Sequence, residues 1–267
     1  MVAMSKDLIK DSWLTEQEAV LLIKTDLSGF LNEFNPNQLC VPGLQVRNPT
    51  TINLQDTYFD SLSLQLGNAQ AALRLRKERD TLLLGVKQGD CWTASGVSRI
   101  EAEEPWSANG VATILHYLDF MGVNLTHPGV PIGSAEPLSI LSLMGLKPIQ
   151  NRSLKRILWP IFDRGNQKIC SLSLDFVTLN LSNGPVKFGE IEIELVDGPV
   201  STIKSLFDAL IYNYPKLLQP WRYSKLQTGT AIESLSKSTD GSIVNENGEL
   251  TLTNISQIEK LLKKPHR

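Results

Sequence analysis

Residues 188–195 read Phe188-Gly189-Glu190-Ile191-Glu192-Ile193-Glu194-Leu195. The strict alternation marks a β-strand with three carboxylates on one face and apolar side chains on the other. Three glutamates repeating about 7 Å apart repel one another, and natural strand surfaces usually interleave opposite signs. A solvated polar face over a buried apolar one is the plainer reading of any single strand. The unbroken acidic row argues against it here, because such a row is better placed facing cations, either a metal ion or Lys and Arg side chains. Glutamate oxygens are suitable hard ligands for Mg²⁺ or Mn²⁺.

Other alternating segments carry charges of the complementary kind. In Ala72–Arg76 the two arginines, Arg74 and Arg76, share a face opposite Leu73 and Leu75. In Thr81–Lys87 the lysine lies opposite Leu82, Leu84 and Val86. Arg99, Glu101 and Glu103 share one face of Ser98–Glu103, and Asp175 is in phase with Ser171 and Ser173 in Ile169–Val177. Glu16–Lys24 alternates as well. Turn signals at Gly67-Asn68, Gly89-Asp90, Gly165-Asn166 and Asn183-Gly184 separate many of these runs. Helical periodicity is confined to Trp106–Met121, with Asn109 near its start, to Pro137–Met144 and to Ser201–Tyr214, with Ser201 as the cap. Ser234–Asn247 reads as a linker, and Ile255–Arg267 as a short basic helix. Many strands at modest spacing predict an antiparallel sheet large enough to close into a barrel.

Composition bounds the partners. The 267 residues hold 26 Lys plus Arg against 28 Asp plus Glu, a net charge of -2. A nucleic-acid coat or a disordered acidic tail would be lopsided, so no nucleic-acid partner is expected. At 42% hydrophobic residues the chain can bury a sizeable core. Cys40, Cys91 and Cys170 have no paired spacing, which predicts reduced thiols and no zinc site. Residues 1–13 lack the apolar run of a signal peptide, and no stretch is long enough to cross a bilayer, so a cytoplasmic protein with no membrane partner is expected.

The order of the charged motifs resembles a known family. It runs Lys24, Tyr58-Phe59-Asp60, Leu73-Arg74-Leu75-Arg76, Leu84-Gly85-Val86-Lys87, Arg99-Ile100-Glu101-Ala102-Glu103, Asp175, Glu190 to Glu194, then Ser224-Lys225. This set is similar to the CYTH domain, the triphosphate tunnel metalloenzyme superfamily, and most similar to its bacterial inorganic triphosphatases. The resemblance implies an α+β protein: mainly an antiparallel eight-stranded closed β-barrel, the triphosphate tunnel, with helices packed outside. It would span 14–229, with a linker and short C-terminal helix over 230–267. It further implies that Lys24, Arg74, Arg76, Lys87, Arg99, Arg156 and Lys225 grip phosphate. Arg152 is a looser match, since the alignment around Asn151–Trp159 can slip. Glu190, Glu192 and Glu194 would bind Mg²⁺ or Mn²⁺, with Glu101 and Glu103 as secondary metal ligands, and Glu101 and Lys24 would be catalytic. The implied ligand is a small polyanion, tripolyphosphate or a nucleoside triphosphate. Arg supplies bidentate donors and Lys a point charge, while metal bridging stabilises charge on the leaving oxygen.

One departure stands out. The family's first strand reads Glu-x-Glu-x-Lys, whereas the residues before Lys24 are Val20-Leu21-Leu22-Ile23. Glu16 and Glu18 are in phase with Lys24 but lie four residues too early, roughly 13 Å along a strand. The expectation is an intact cationic grip with an impaired metal centre, giving weakened triphosphate hydrolysis or, alternatively, non-catalytic binding of polyphosphate or nucleotide. A third class is an ordinary barrel holding an apolar ligand, with its charged faces outward. Adenylate cyclase activity has less support, because nothing identifies an adenine pocket. His116, His127 and His266 pair with no ligand-spaced residue, and no Walker, G-x-S-x-G or G-x-G-x-x-G motif is present. Trp159 and Trp221 read as wall packing, and Lys260, Lys263, Lys264 and Arg267 as a solvated terminus.

Overall fold

The alternating segments all form strands in the structure, a computed structural model that describes residues 14–93, 96–126, 129, 131–133, 135–239 and 241–263. Residues 1–13, His127, Lys264, His266 and Arg267 lie outside that set. The strands are β1 (Leu14–Ile23), β2 (Leu44–Val46), β3 (Thr50–Ser61), β4 (Ala71–Glu78), β5 (Thr81–Thr93), β6 (Gly96–Pro105), β7 (Leu146–Asp163), β8 (Lys168–Leu181), β9 (Gly184–Leu195) and β10 (Leu218–Trp221). The helices are α1 (Leu27–Glu33), α2 (Gln65–Asn68), α3 (Ala108–Phe120), α4 (Pro137–Leu143), α5 (Ser201–Asn213), α6 (Lys225–Ser238) and α7 (Leu252–Leu262). All ten strands share one sheet in the order β10-β1-β6-β5-β4-β3-β7-β8-β9. A further β1–β9 pairing joins eight of them into a closed antiparallel barrel, with β10 added to β1 and β2 to β7. The closed barrel expected from the strand pattern, and the eight-stranded α+β form that the family resemblance implies, are therefore both present.

The three expected helices form. Ser107 caps α3, its hydroxyl accepting from Gly110 N–H at 3.0 Å. Ser201 is the first helical residue of α5, and the Val200 before it makes no side-chain cap. Gly89-Asp90, expected as a turn, lies within β5, where Gly89 has φ +68° and the strand continues to Thr93. Strand β7 went unexpected. It carries Pro148 and Pro160 and polar residues on both faces, which hides its period.

The described residues fall into two compact units, one built from 14–16, 57–91 and 98–149, the other from 17–56, 92–97 and 150–263. In the first, Leu73 and Leu75 of β4 and Leu84 and Val86 of β5 pack with Val111, Ile114 and Leu118 of α3 and Ile140 and Leu141 of α4. Helices thus cover the apolar face and leave Arg74, Arg76 and Lys87 on the other. Asp60 fixes the corner after β3: its carboxylate accepts from the N–H groups of Ser61, Leu66 and Gly67 at 2.7–3.0 Å.

The second unit has two cores. Ala19, Leu21 and Ile23 of β1 pack with Leu172, Leu174, Ile191 and Ile193 beneath Phe30 of α1 and Ile203, Leu206 and Leu210 of α5. Phe34 stacks edge-on against Trp159 here, so that tryptophan is wall packing. The opposite face changes character along its length. Val20, Leu22, Leu154, Val177, Leu179, Val186, Phe188 and Trp221 form a core with Ile232 and Leu235 of α6, Ile243, and Ile255 and Ile258 of α7. The break expected at 229/230 falls inside α6, and residues 234–238 are helical instead of linker. Beyond α6 the chain docks on β9, with Lys187 N–H donating to the Gly248 carbonyl at 2.8 Å and Leu250 N–H to the Lys187 carbonyl at 2.9 Å. Apolar residues at α6 and α7 spacing bury this C-terminal segment in the core. The cysteines are free thiols. Among the described residues no helix is long and apolar enough to cross a membrane.

Candidate functional site

Strand register places the charged residues of the second unit in rows. Arg156, Asp175, Glu190 and Leu22 lie side by side across β7, β8, β9 and β1. Leu158, Ser173, Glu192 and Val20 form the next row, and Pro160, Ser171, Glu194 and Glu18 the one after. Residues two apart on a strand share a face, so all three glutamates of β9 meet Asp175 and Arg156 on one surface. Val20 and Leu22 stand beside Glu192 and Glu190, as expected. Glu18, four residues before Leu22, is directly opposite Glu194. The lysine that the resemblance assigns to phosphate and to catalysis is Lys24. That lysine follows β1, and its ammonium donates to the Pro215 carbonyl at 3.3 Å.

Asp175, fully buried, is the centre of the cluster. Arg156 grips it with both ends of its fork, Nε to Oδ1 at 2.7 Å and Nη2 to Oδ2 at 2.6 Å, and reaches Glu192 Oε2 at 2.7 Å. Lys225, the first residue of α6, places Nζ 3.0 Å from both Asp175 Oδ2 and Glu190 Oε2 and also bonds Glu192 Oε1. Its position is set by the helix start: Ser224 and Gln227 form a capping box, and Trp221 Nε1 donates to Thr228 Oγ1 at 2.8 Å. Trp221 is thus core, as expected. Burial opposes the charge on Arg156, but Asp175 and then Glu192 outweigh it and hold the guanidinium well above its ordinary value. Lys225 is likewise raised, burial being outweighed by Glu192, Glu190 and Asp175. Burial pushes the Glu190 carboxyl up, with Lys225 pulling the other way. Arg152 is not part of this cluster. Leu154 separates it from Arg156 along β7, and its guanidinium lies 3.7 Å from buried Asp56.

The first unit holds its own charged cluster. Arg74 meets Glu103 at 2.6 Å and Glu101 at 3.8 Å. Lys87 meets Glu16 at 2.7 Å and Glu101 at 2.9 Å. Gly85 leaves room for this arrangement, since a Cβ there would sit 3.3 Å from Glu103 Oε2. Burial raises the Glu101 carboxyl, opposed first by Lys87. Arg99 is buried on the same face of β6 as Glu101, and Arg76 lies two residues beyond Arg74 on β4. Two functional candidates escaped the sequence reading: Glu16 as a partner of Lys87, and Asp175 as a hub. The even spacing of Glu16, Glu18, Val20 and Leu22 was the available signal.

The carboxylates named as metal ligands do not fit a metal as arranged. Glu190 and Glu192 are engaged by Lys225, and Glu192 also by Arg156. Among the described residues no group of three or more His, Cys, Asp or Glu side chains is disposed to hold a metal ion.

No curated protein matches the chain. HpAC1 from Hippeastrum, described as a candidate adenylyl cyclase with a dominant triphosphatase activity, is 17% identical over 82% of this chain and 96% of its own, at a TM-score of 0.48. A structure from Bacillus halodurans, described as a candidate adenylate cyclase, is 17% identical over 80% of this chain and 97% of that one, at 0.46. PH1819 from Pyrococcus horikoshii is 15% identical over 83% and 99%, at 0.44. The family profile of the CYTH domain matches residues 30–219, most of the barrel, and the chain belongs to the CYTH domain family.

Proposed function

We propose that this protein binds a triphosphate-bearing polyanion, inorganic tripolyphosphate first, and cleaves its phosphoanhydride bond weakly. The observation that carries this reading is the pair Arg156 and Lys225, two buried cations held on one carboxylate, Asp175. Such cations are kept charged and in place before any ligand arrives. An incoming phosphate oxygen can then replace a carboxylate oxygen as partner without new desolvation of the cation. Arg74 and Lys87 of the first unit, held on Glu103, Glu16 and Glu101, are proposed phosphate grips on the same reasoning, and Arg99, buried on the strand face that carries Glu101, is proposed with them. Family membership supports the substrate class, since the family is metal-dependent in general and acts on triphosphates.

Within the first unit, Glu101 is the proposed residue to orient or deprotonate a water, because burial raises its carboxyl and so favours proton acceptance. Lys87 beside it steadies the charged form. Arg156 and Lys225 bind and neutralise phosphate oxygens. Non-catalytic binding of polyphosphate or nucleotide is the second reading. It is favoured by the engagement of Glu190 and Glu192 with Lys225 and by Val20 and Leu22 on the neighbouring strand.

Thermal unfolding of the full chain with and without tripolyphosphate, followed by phosphate release with and without Mn²⁺ or Mg²⁺, tests both. A rise in Tm together with phosphate release supports hydrolysis, and a rise alone supports binding only. No rise sinks both readings.

A further inference from the structure

We propose that Lys225 is a tethered counter-cation that holds the place of a divalent ion on Asp175, Glu190 and Glu192, so that this carboxylate row takes no metal. The geometry is that of an occupied site. Lys225 Nζ contacts one oxygen from each of the three carboxylates. Arg156 covers Asp175 Oδ1, shares Oδ2, and takes Glu192 Oε2. Five of the six oxygens therefore already face an ammonium or guanidinium nitrogen. A Mg²⁺ or Mn²⁺ ion would need several of these same oxygens at about 2.0–2.2 Å. It would then sit beside two side-chain cations in a buried setting, where like charges repel strongly.

Two further features keep the ammonium in place. The neighbouring strand supplies no oxygen here, since Leu22 stands beside Glu190 and Val20 beside Glu192. A metal displacing Lys225 would gain no ligand from that side. The lysine is also anchored at its base, because the Ser224–Gln227 capping box and the Trp221–Thr228 bond fix the first turn of α6. Ile232 and Leu235 of the same helix are buried in the core.

Mn²⁺ titration of the full chain by calorimetry, with no phosphate compound present, tests the inference independently of any hydrolysis. Wild type and Glu192→Gln should bind Mn²⁺ equally, within about twofold, or both not at all. Lys225→Gln should gain one Mn²⁺ site at least tenfold tighter than any in wild type, and the added Glu192→Gln change should abolish it. A wild-type Mn²⁺ site weakened tenfold or more by Glu192→Gln overturns the proposal, as does a folded Lys225→Gln that gains no site. Should Lys225→Gln fail to fold, Lys225→Met, which keeps the apolar stem, takes its place. If neither folds, the comparison of wild type with Glu192→Gln decides alone.

Discussion

Val20 stands directly across the β1–β9 ladder from Glu192. Directly paired side chains on neighbouring strands lie about 4.5–5.5 Å apart at Cβ, close enough for charge to be felt strongly in a buried setting. Val20 is itself buried.

Val20→Glu puts a fourth carboxylate beside a cluster that already holds three against Arg156 and Lys225. The loss should be about 3–5 kcal/mol, the range for an uncompensated buried charge. Val20→Lys introduces a charge of equal size but opposite to Glu192 and should lose clearly less. Urea unfolding of the two variants at neutral pH checks the order. Equal losses would show that Glu192 does not feel position 20.

Asp175→Asn removes the carboxylate that Arg156 and Lys225 share. Both cations then remain buried with fewer anions, at a cost of about 3–5 kcal/mol. Because the damage is electrostatic, pairing the change with Arg156→Met should recover part of it. A double-mutant cycle by denaturant unfolding should show coupling of at least about 1 kcal/mol. Simple additivity would mean that the bidentate contact contributes no net stability.

Much of this arrangement was legible in advance because period-two alternation survives burial. The faces of Glu190–Glu194, Arg74–Arg76 and Arg99–Glu103 were read correctly from spacing alone. Register was not legible: nothing in the sequence says which residue of β1 pairs with Glu194. Asp175 reads in sequence as a residue in phase with two serines and as one of the ordered charged motifs, with no partner assigned to it. Its role depends on Arg156 from a strand hidden by its prolines and on Lys225 from a helix start. Both meet it only through long-range pairing. The Ser- and Asn-rich stretch after Gly229 looked like linker, yet the helix continues to Ser238 because Ile232 and Leu235 have a core to enter.

Lys87→Met should destabilise the protein in a pH-dependent way. Burial raises the Glu101 carboxyl, and Lys87 is the leading influence that lowers it. A carboxyl raised in the folded state binds its proton more tightly there than when unfolded. Its contribution is fully present below the ordinary carboxylate range and is lost as pH rises through the folded value. Without Lys87 that folded value moves further up, so the loss extends toward neutral pH. The deficit relative to wild type should be about 1–3 kcal/mol at pH 7.5 and smaller at pH 5. Chemical denaturation at the two pH values measures it, and a deficit that is constant or larger at pH 5 would contradict the assignment.

Ile258→Ala tests whether α7 belongs to the folded core. Ile258 is buried with Val186, Phe188 and Ile255, whereas Leu252 at the start of the same helix is 59% exposed. Truncating a buried isoleucine removes its transfer energy and leaves a cavity, together about 2–5 kcal/mol. Leu252→Ala, at an exposed site, should change stability by no more than about 0.5 kcal/mol. The contrast depends on one cooperative unfolding unit running from the barrel strands through α7. If α7 merely hung from the barrel, Ile258→Ala would leave the main urea transition where it is and at most add a small early phase. A main transition that shifts as a whole for Ile258→Ala, and not for Leu252→Ala, would place the C-terminal helix in the same cooperative structure that holds Lys225 against Asp175.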